Sequence, residues 1–178
     1  MIAYPTGHEP DFWDPVPEEN DFRFALGRTA GSSTASPPLI AICMNPSHAR
    51  RREADKTVRR LIEASQHHRY AGWVMLNLYP ERSPKPSDLT DFDAGLSAEN
   101  CAAIERVLAK HGATEVLGGW GNAPHPTLRR ARLDVLTLLG RLRVRVFTFD
   151  SLTKPGNPRH PSPPGNPLPM LGPKVYLT

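Results

Sequence analysis

Four short stretches of the chain, residues 39–44, 73–78, 114–117 and 144–149, are apolar almost without interruption, the signature of strands buried on both faces. Between them apolar residues recur at helical spacing. Val58, Leu61, Ile62 and Ser65 follow Asp55, which is placed to cap a helix, and Cys101, Ile104, Val107 and Leu108 lie between a capping Ser97 and a terminating Gly112. Leu128, Ala131, Val135, Leu138 and Leu139 form a third stripe, opened by Pro126 in a first helical turn and closed by Gly140. Upstream, Phe22, Phe24 and Leu26 alternate with polar or small residues and predict an edge strand, followed by a Gly/Ser-rich turn over 29–37.

Strands alternating with helices through short connections imply right-handed crossovers and a parallel sheet covered on both faces. The expected fold is an α/β three-layer α/β/α sandwich with a central four-stranded parallel sheet, an N-terminal edge strand and a proline-rich C-terminal tail. At 178 residues the chain suits a single domain: an arm over 1–20, a core over 21–150 and a tail over 151–178. The tail has no periodic apolar pattern, so it is expected to fold back over a site and not to add a layer.

Lys and Arg total 22 against 18 Asp and Glu, a net charge of +4 that favours an anionic partner without requiring one. With only Cys43 and Cys101, no disulfide framework and no four-cysteine metal or iron–sulfur site is expected. His67-His68, His111 and His125 lack companions at metal-ligand spacing, so neither metal nor cofactor is expected. No apolar run reaches membrane-spanning length and the N-terminus does not read as a signal peptide, giving an expectation of a cytoplasmic monomer. Nucleophile elbows, P-loops and dinucleotide fingerprints are missing from the sequence, which ranks serine hydrolases, NTPases and simple dehydrogenases low.

Chemistry-bearing blocks follow the apolar runs: Cys43-Met44-Asn45-Pro46-Ser47, Met75-Leu76-Asn77-Leu78, Gly118-Gly119-Trp120-Gly121-Asn122 and, in the tail, Arg159-His160-Pro161-Ser162-Pro163. Strands of one parallel sheet place such blocks along one edge, where open α/β folds bind ligands. Through Met44-Asn45-Pro46-Ser47, Asp55-Lys56-Thr57-Val58-Arg59-Arg60, Asn77-Leu78, Trp120-Gly121-Asn122 and the run from Leu152 to Pro161, the chain resembles a bacterial family known as domain of unknown function 1643. That family label carries no activity.

The same order of blocks is more remotely similar to the uracil-DNA glycosylase superfamily. Ile42-Cys43-Met44-Asn45-Pro46 resembles its water-positioning loop in the branch that uses Asn, and Met75-Leu76-Asn77 its base-reading strand end. Gly119-Trp120-Gly121 resembles its Trp-Gly turn, and His160-Pro161-Ser162-Pro163 its last loop. The resemblance implies a four-stranded parallel sheet between helices and cleavage of an N-glycosidic bond. Residues 47–60 lack the stacking aromatic of such enzymes and carry a basic helix start instead, which suits a phosphorylated ligand.

On this reading His160 donates to the oxygen of the departing base, Asn45 orients a water without being able to take its proton, and Asn77 reads the base through its amide. Trp120 either stacks on the base or packs at the sheet edge, with Asn122 beside it in the base-binding set. Ser47, Arg51, Thr57, Arg59, Arg60 and Arg159 are the candidates for phosphate or nucleic-acid contact, although Asp55 is first an N-cap and the arginines also suit a solvated surface. Leu168 or Met170 could fill the gap left by a flipped base. The expected function is a glycosylase-like N-glycosidase acting on DNA or a nucleotide. The alternatives are a non-catalytic nucleotide- or nucleic-acid-binding module and an enzyme acting on a small nucleotide.

Overall fold

Strand β3 (Leu39–Cys43) organises the molecule, because both of its neighbours in the sheet are parallel to it and successive crossovers run to opposite sides of it. A computed structural model describes residues 2–19, 21–163, 165 and 168–177; the ends of the expected arm at 1 and 20, and tail positions 164, 166, 167 and 178, lie outside the described residues. From β3 the chain crosses through helix α1 (Lys56–His67) to β4 (Trp73–Asn77), and then through α2 (Ala94–His111) to β5 (Glu115–Gly119) on the other side of β3. Helix α3 (Pro126–Arg141) leads on to β6 (Arg145–Phe149), again parallel to its neighbour.

Three short strands complete the sheet. β2 (Ala25–Arg28) lies antiparallel against β4, β1 (Phe12–Asp14) antiparallel against β2, and β7 (Lys174–Tyr176) antiparallel against β6. The sheet is therefore mixed and seven-stranded, in the order β1-β2-β4-β3-β5-β6-β7, where the sequence predicts four parallel strands and one edge. The predicted edge strand falls at 25–28 and is not an edge, since residues of the arm pair outside it. The tail contributes β7, a strand too short to leave any periodic pattern in the sequence.

Alternation along the strands separates the core into two layers. Leu39, Ala41 and Cys43 of β3, with Trp73, Met75, Leu117 and Phe147, face Val58, Leu61 and Ile62 of α1. Ile40 and Ile42, with Val74, Leu76, Val116 and Val146, face Ile104 and Leu108 of α2 and Leu128, Ala131 and Val135 of α3. One helix covers one face and two cover the other.

Caps fall largely where local chemistry places them. Asp55 accepts the Val58 N–H (2.9 Å) at the start of α1, Pro126 occupies the first turn of α3, and Gly112 ends α2 in the left-handed conformation at φ 57°. Helix α2 corrects one expectation. Its cap is Asp93, which accepts the Leu96 N–H at 2.9 Å, while Ser97 lies inside the helix, buried, donating to Asp134 at 2.8 Å. Cys43 and Cys101 are both free thiols. Among the described residues no helix is long and apolar enough to cross a membrane, and no three His, Cys, Asp or Glu side chains are grouped to hold a metal.

Candidate functional site

Because the crossover from β3 runs to β4 on one side and the next crossover, from β4, passes back to β5 on the other side of β3, a crevice opens beyond the carboxyl end of β3, the place where open α/β sheets bind ligands. A cavity of about 450 Å³ occupies it, on the α1 side of the sheet. Asn45, Asn77 and His160, 115 positions apart from first to last, all line it, joined by Ser47 and Thr57.

Each side chain is held by a different element. Asn45 follows β3 directly, and its Nδ2 donates to the carbonyls of Pro46 (3.0 Å) and Ser83 (2.9 Å), which leaves Oδ1 as the acceptor of the amide. Asn77 ends β4 and is only 1 % exposed. Its backbone carbonyl takes a bond from Asn100 Nδ2 of α2 (2.9 Å), its Oδ1 takes one from Arg23 Nη2 (3.3 Å), and its Nδ2 has no partner. The amide is thereby oriented, with the donor end unsatisfied.

His160 reaches the cavity because glycines let the tail lie against the end of β5. A Cβ at Gly118 would stand 2.6 Å from Pro158 Cγ and 2.9 Å from Val146 Cγ1, and one at Gly119 would stand 3.1 Å from Cys43 Sγ and 3.2 Å from Pro161 Cδ. Gly121, at φ +60°, donates its N–H to the Pro158 carbonyl (2.9 Å). The half-buried imidazole accepts the Ser162 N–H at Nδ1 (3.1 Å), which selects the neutral tautomer protonated at Nε2. Burial pushes its pKa below the ordinary value of 6.5. Neutral imidazole is the form that donates from Nε2 without carrying charge.

Gly118→Ala is expected to cost roughly 1–3 kcal/mol, the usual penalty of overpacking, because Pro158 and Val146 leave no room for a methyl group. The displaced Pro158 would carry His160 with it. Urea denaturation reads the first effect and the histidine ring resonances in proton NMR the second; unchanged midpoint and unchanged His160 resonances would show that the close approach does not set the loop.

The rest of the lining adds charge and acceptors. Asp55, Lys56 and Thr57 bring the N-terminus of α1 to the cavity wall, Asp55 Oδ2 also accepting the Ala49 N–H at 3.3 Å. The thiol of Cys43 lies in the wall too, pushed up to about 12 by burial, so it stays protonated and is no thiolate nucleophile. Ser162 Oγ is buried with no partner.

Arg23 is the lining residue that sequence reasoning missed. It is 2 % exposed, donating from Nη1 to the Ala49 carbonyl (2.9 Å) and from Nη2 to Met75 Sδ (3.6 Å) and Asn77 Oδ1. In the sequence it sits between Phe22 and Phe24, in the pattern of an outward-facing strand residue, and no local signal distinguishes it.

Six expected site residues lie elsewhere. Trp120 is 1 % exposed and packs in the layer between the sheet and helices α2 and α3, so it offers no face to a ligand. Asn122 Oδ1 accepts from Thr153 Oγ1 (2.9 Å) and Asn157 Nδ2 (3.1 Å), an anchor for the turn that starts the tail. Arg51 stacks on Trp13, 4.1 Å from the ring centre. Arg60 pairs with Glu63 at 2.8 Å, and Arg59 and Arg159 are exposed outside the cavity. Met170, expected as a gap filler, is buried beneath the α1 layer, with Leu168 packed against the same cluster.

The fold places, in an α/β protein, a cavity at the carboxyl edge of the parallel strands whose wall holds two amides, a half-buried histidine and a buried guanidinium, with Asp55 and Lys56 beside them. The chain belongs to the family described as Protein of unknown function (DUF1643), whose model matches residues 23–162 and so spans Arg23, Asn45, Asn77 and His160. No curated protein and no solved structure matches the chain.

Proposed function

We propose that the protein is a base-excising N-glycosidase acting on DNA or a nucleotide. The observation that carries this reading is the convergence of Asn45, Asn77 and His160 on one cavity with room for a nucleobase. In such a reaction water adds its oxygen to the anomeric carbon as the C–N bond breaks, the bonding electron pair leaves with the base, and the proton of the water passes to solvent. Asn45 Oδ1 orients the water but takes no proton, so the site relies on stabilising the leaving group. Nε2–H of His160 donates to the oxygen on which charge builds. Asn77 presents its Nδ2–H to an acceptor on the base.

The remote similarity to the uracil-DNA glycosylase superfamily supports the same reading, as does the parallel order β4-β3-β5-β6, since that resemblance implies a four-stranded parallel sheet between helices. A second reading, an enzyme or binding module for a small nucleotide, is favoured by the opening of the α1 N-terminus, with Lys56 and Thr57, into the cavity itself. A single panel separates the two. Purified protein is expected to release base from members of a panel of oligonucleotides and free nucleotides carrying uracil or damaged pyrimidines and purines, leaving alkali-labile abasic sites in the oligonucleotides; calorimetric binding of a free nucleotide with no base released selects the second reading, and no release from any member rejects excision.

A further inference from the structure

Arg23 is, among the described residues, the lysine or arginine removed most completely from solvent, and no carboxylate lies within ion-pairing distance of it. All of its partners are neutral: a carbonyl, a thioether and an amide oxygen. Its Nε has no partner at all. Arg82, the arginine that shares the Ala49 carbonyl, has its own acid in Glu18 at 3.2 Å. Asp55, whose charge also reaches Arg23, is committed to the Val58 and Ala49 N–H groups. Burial and the neighbouring Arg82 pull the guanidinium down to about 10, so at neutral pH it is still a cation. A buried cation with no ion-pair partner is costly, and negative charge brought by a ligand would offset that cost.

The same guanidinium fixes what Asn77 offers. By taking Oδ1, Arg23 turns the amide so that its unsatisfied group is a donor, and His160 contributes another donor at Nε2. An amide edge of a neutral pyrimidine, which alternates donor and acceptor, is matched less well by these two donors than a group that only accepts. We infer that Arg23, with the Asn77 amide it orients, is a receptor for an anionic oxo group of the ligand. Resting on the excision reading, that group is the base as it departs with the bonding electron pair; Arg23 then stabilises charge that is absent from the bound substrate.

Calorimetric titration of the full chain with barbiturate, a pyrimidine that is an anion at neutral pH, and with neutral uracil tests the receptor without any turnover. Wild type is expected to bind barbiturate at least about tenfold more tightly, a preference that Arg23→Gln abolishes and Arg23→Lys keeps in part. Where Arg23→Gln does not fold, the wild-type preference and its persistence in Arg23→Lys decide. A wild type that does not prefer the anion, or a folded Arg23→Gln that keeps the preference, overturns the inference whatever the excision assays give. Anion preference that depends on Arg23, in a protein that releases no base from any substrate, upholds the receptor and sinks the excision reading alone. With excision, Arg23→Gln is expected to slow release of uracil more than release of the better leaving group 5-fluorouracil; equal slowing of both would mark a purely structural residue.

Discussion

Trp120→Ala is expected to destabilise the protein by roughly 3–5 kcal/mol, the range found for removing a large aromatic from a packed core. The side chain is 1 % exposed and lies where β5 hands over to α3, in the same packed cluster as Ala123, Leu128 and Tyr79. Truncation leaves a space that the sheet and two helices cannot jointly close. Trp120→Phe is expected to cost far less, partly because the indole Nε1–H is buried with no acceptor, so its removal also removes an unsatisfied donor. Neither change reaches the cavity, whose wall lies on the opposite face of the sheet. The comparison of stability with ligand binding is therefore diagnostic. Urea denaturation should show a large drop in midpoint for Trp120→Ala with barbiturate affinity unchanged in Trp120→Phe; a well-folded Trp120→Phe that loses affinity would restore Trp120 as a stacking residue.

Trp120 also illustrates which features the sequence carries and which it hides. A buried strand announces itself by a nearly unbroken apolar run, and the runs over 39–44, 73–78, 114–117 and 144–149 mark strands that end at Cys43, Asn77, Gly119 and Phe149, which places the carboxyl edge and the residues beyond it. Asn45 and Asn77 follow from those ends directly. His160 does not follow from any strand, but the Gly118-Gly119 pair is a signal for close approach of another backbone, and Pro158 and Pro161 are what approach. Ser97 and Asp93 are both reasonable caps four residues apart; the choice is made by Asp134 of α3, a tertiary partner that turns Ser97 inward. Strands of three residues, such as β1 and β7, span too few positions to show a period and exist because a neighbouring edge is there to pair with. Arg23 is the extreme case. Its burial depends on residues 49, 75 and 77, none of them local, and an arginine between two phenylalanines reads as solvent-facing until those contacts are formed.

His160→Ala is expected to lower the rate of base release by roughly 10²–10³-fold, the usual loss on removing one oxyanion donor. Its pH dependence identifies the protonation state responsible. Burial holds the folded imidazole below its ordinary pKa of 6.5, and Nδ1 keeps its bond from Ser162 N–H only while that nitrogen is unprotonated. A group depressed in the folded state binds protons more readily when the chain unfolds, so its contribution to stability is present above about pH 6.5 and is lost as pH falls toward the folded value. His111, also depressed by burial and by Lys110, acts in the same direction, so the wild-type acid limb is a sum. His160→Asn keeps a neutral acceptor near the position of Nδ1 but does not titrate, and the difference between its limb and that of wild type isolates the imidazole. Urea midpoints measured from pH 7.5 down to pH 5 should fall less steeply in His160→Asn, at about the pH where wild-type base release also declines. Identical limbs in the two proteins would mean that His160 titrates as freely as in the unfolded chain, and a neutral donor held ready at the cavity would then have no physical basis.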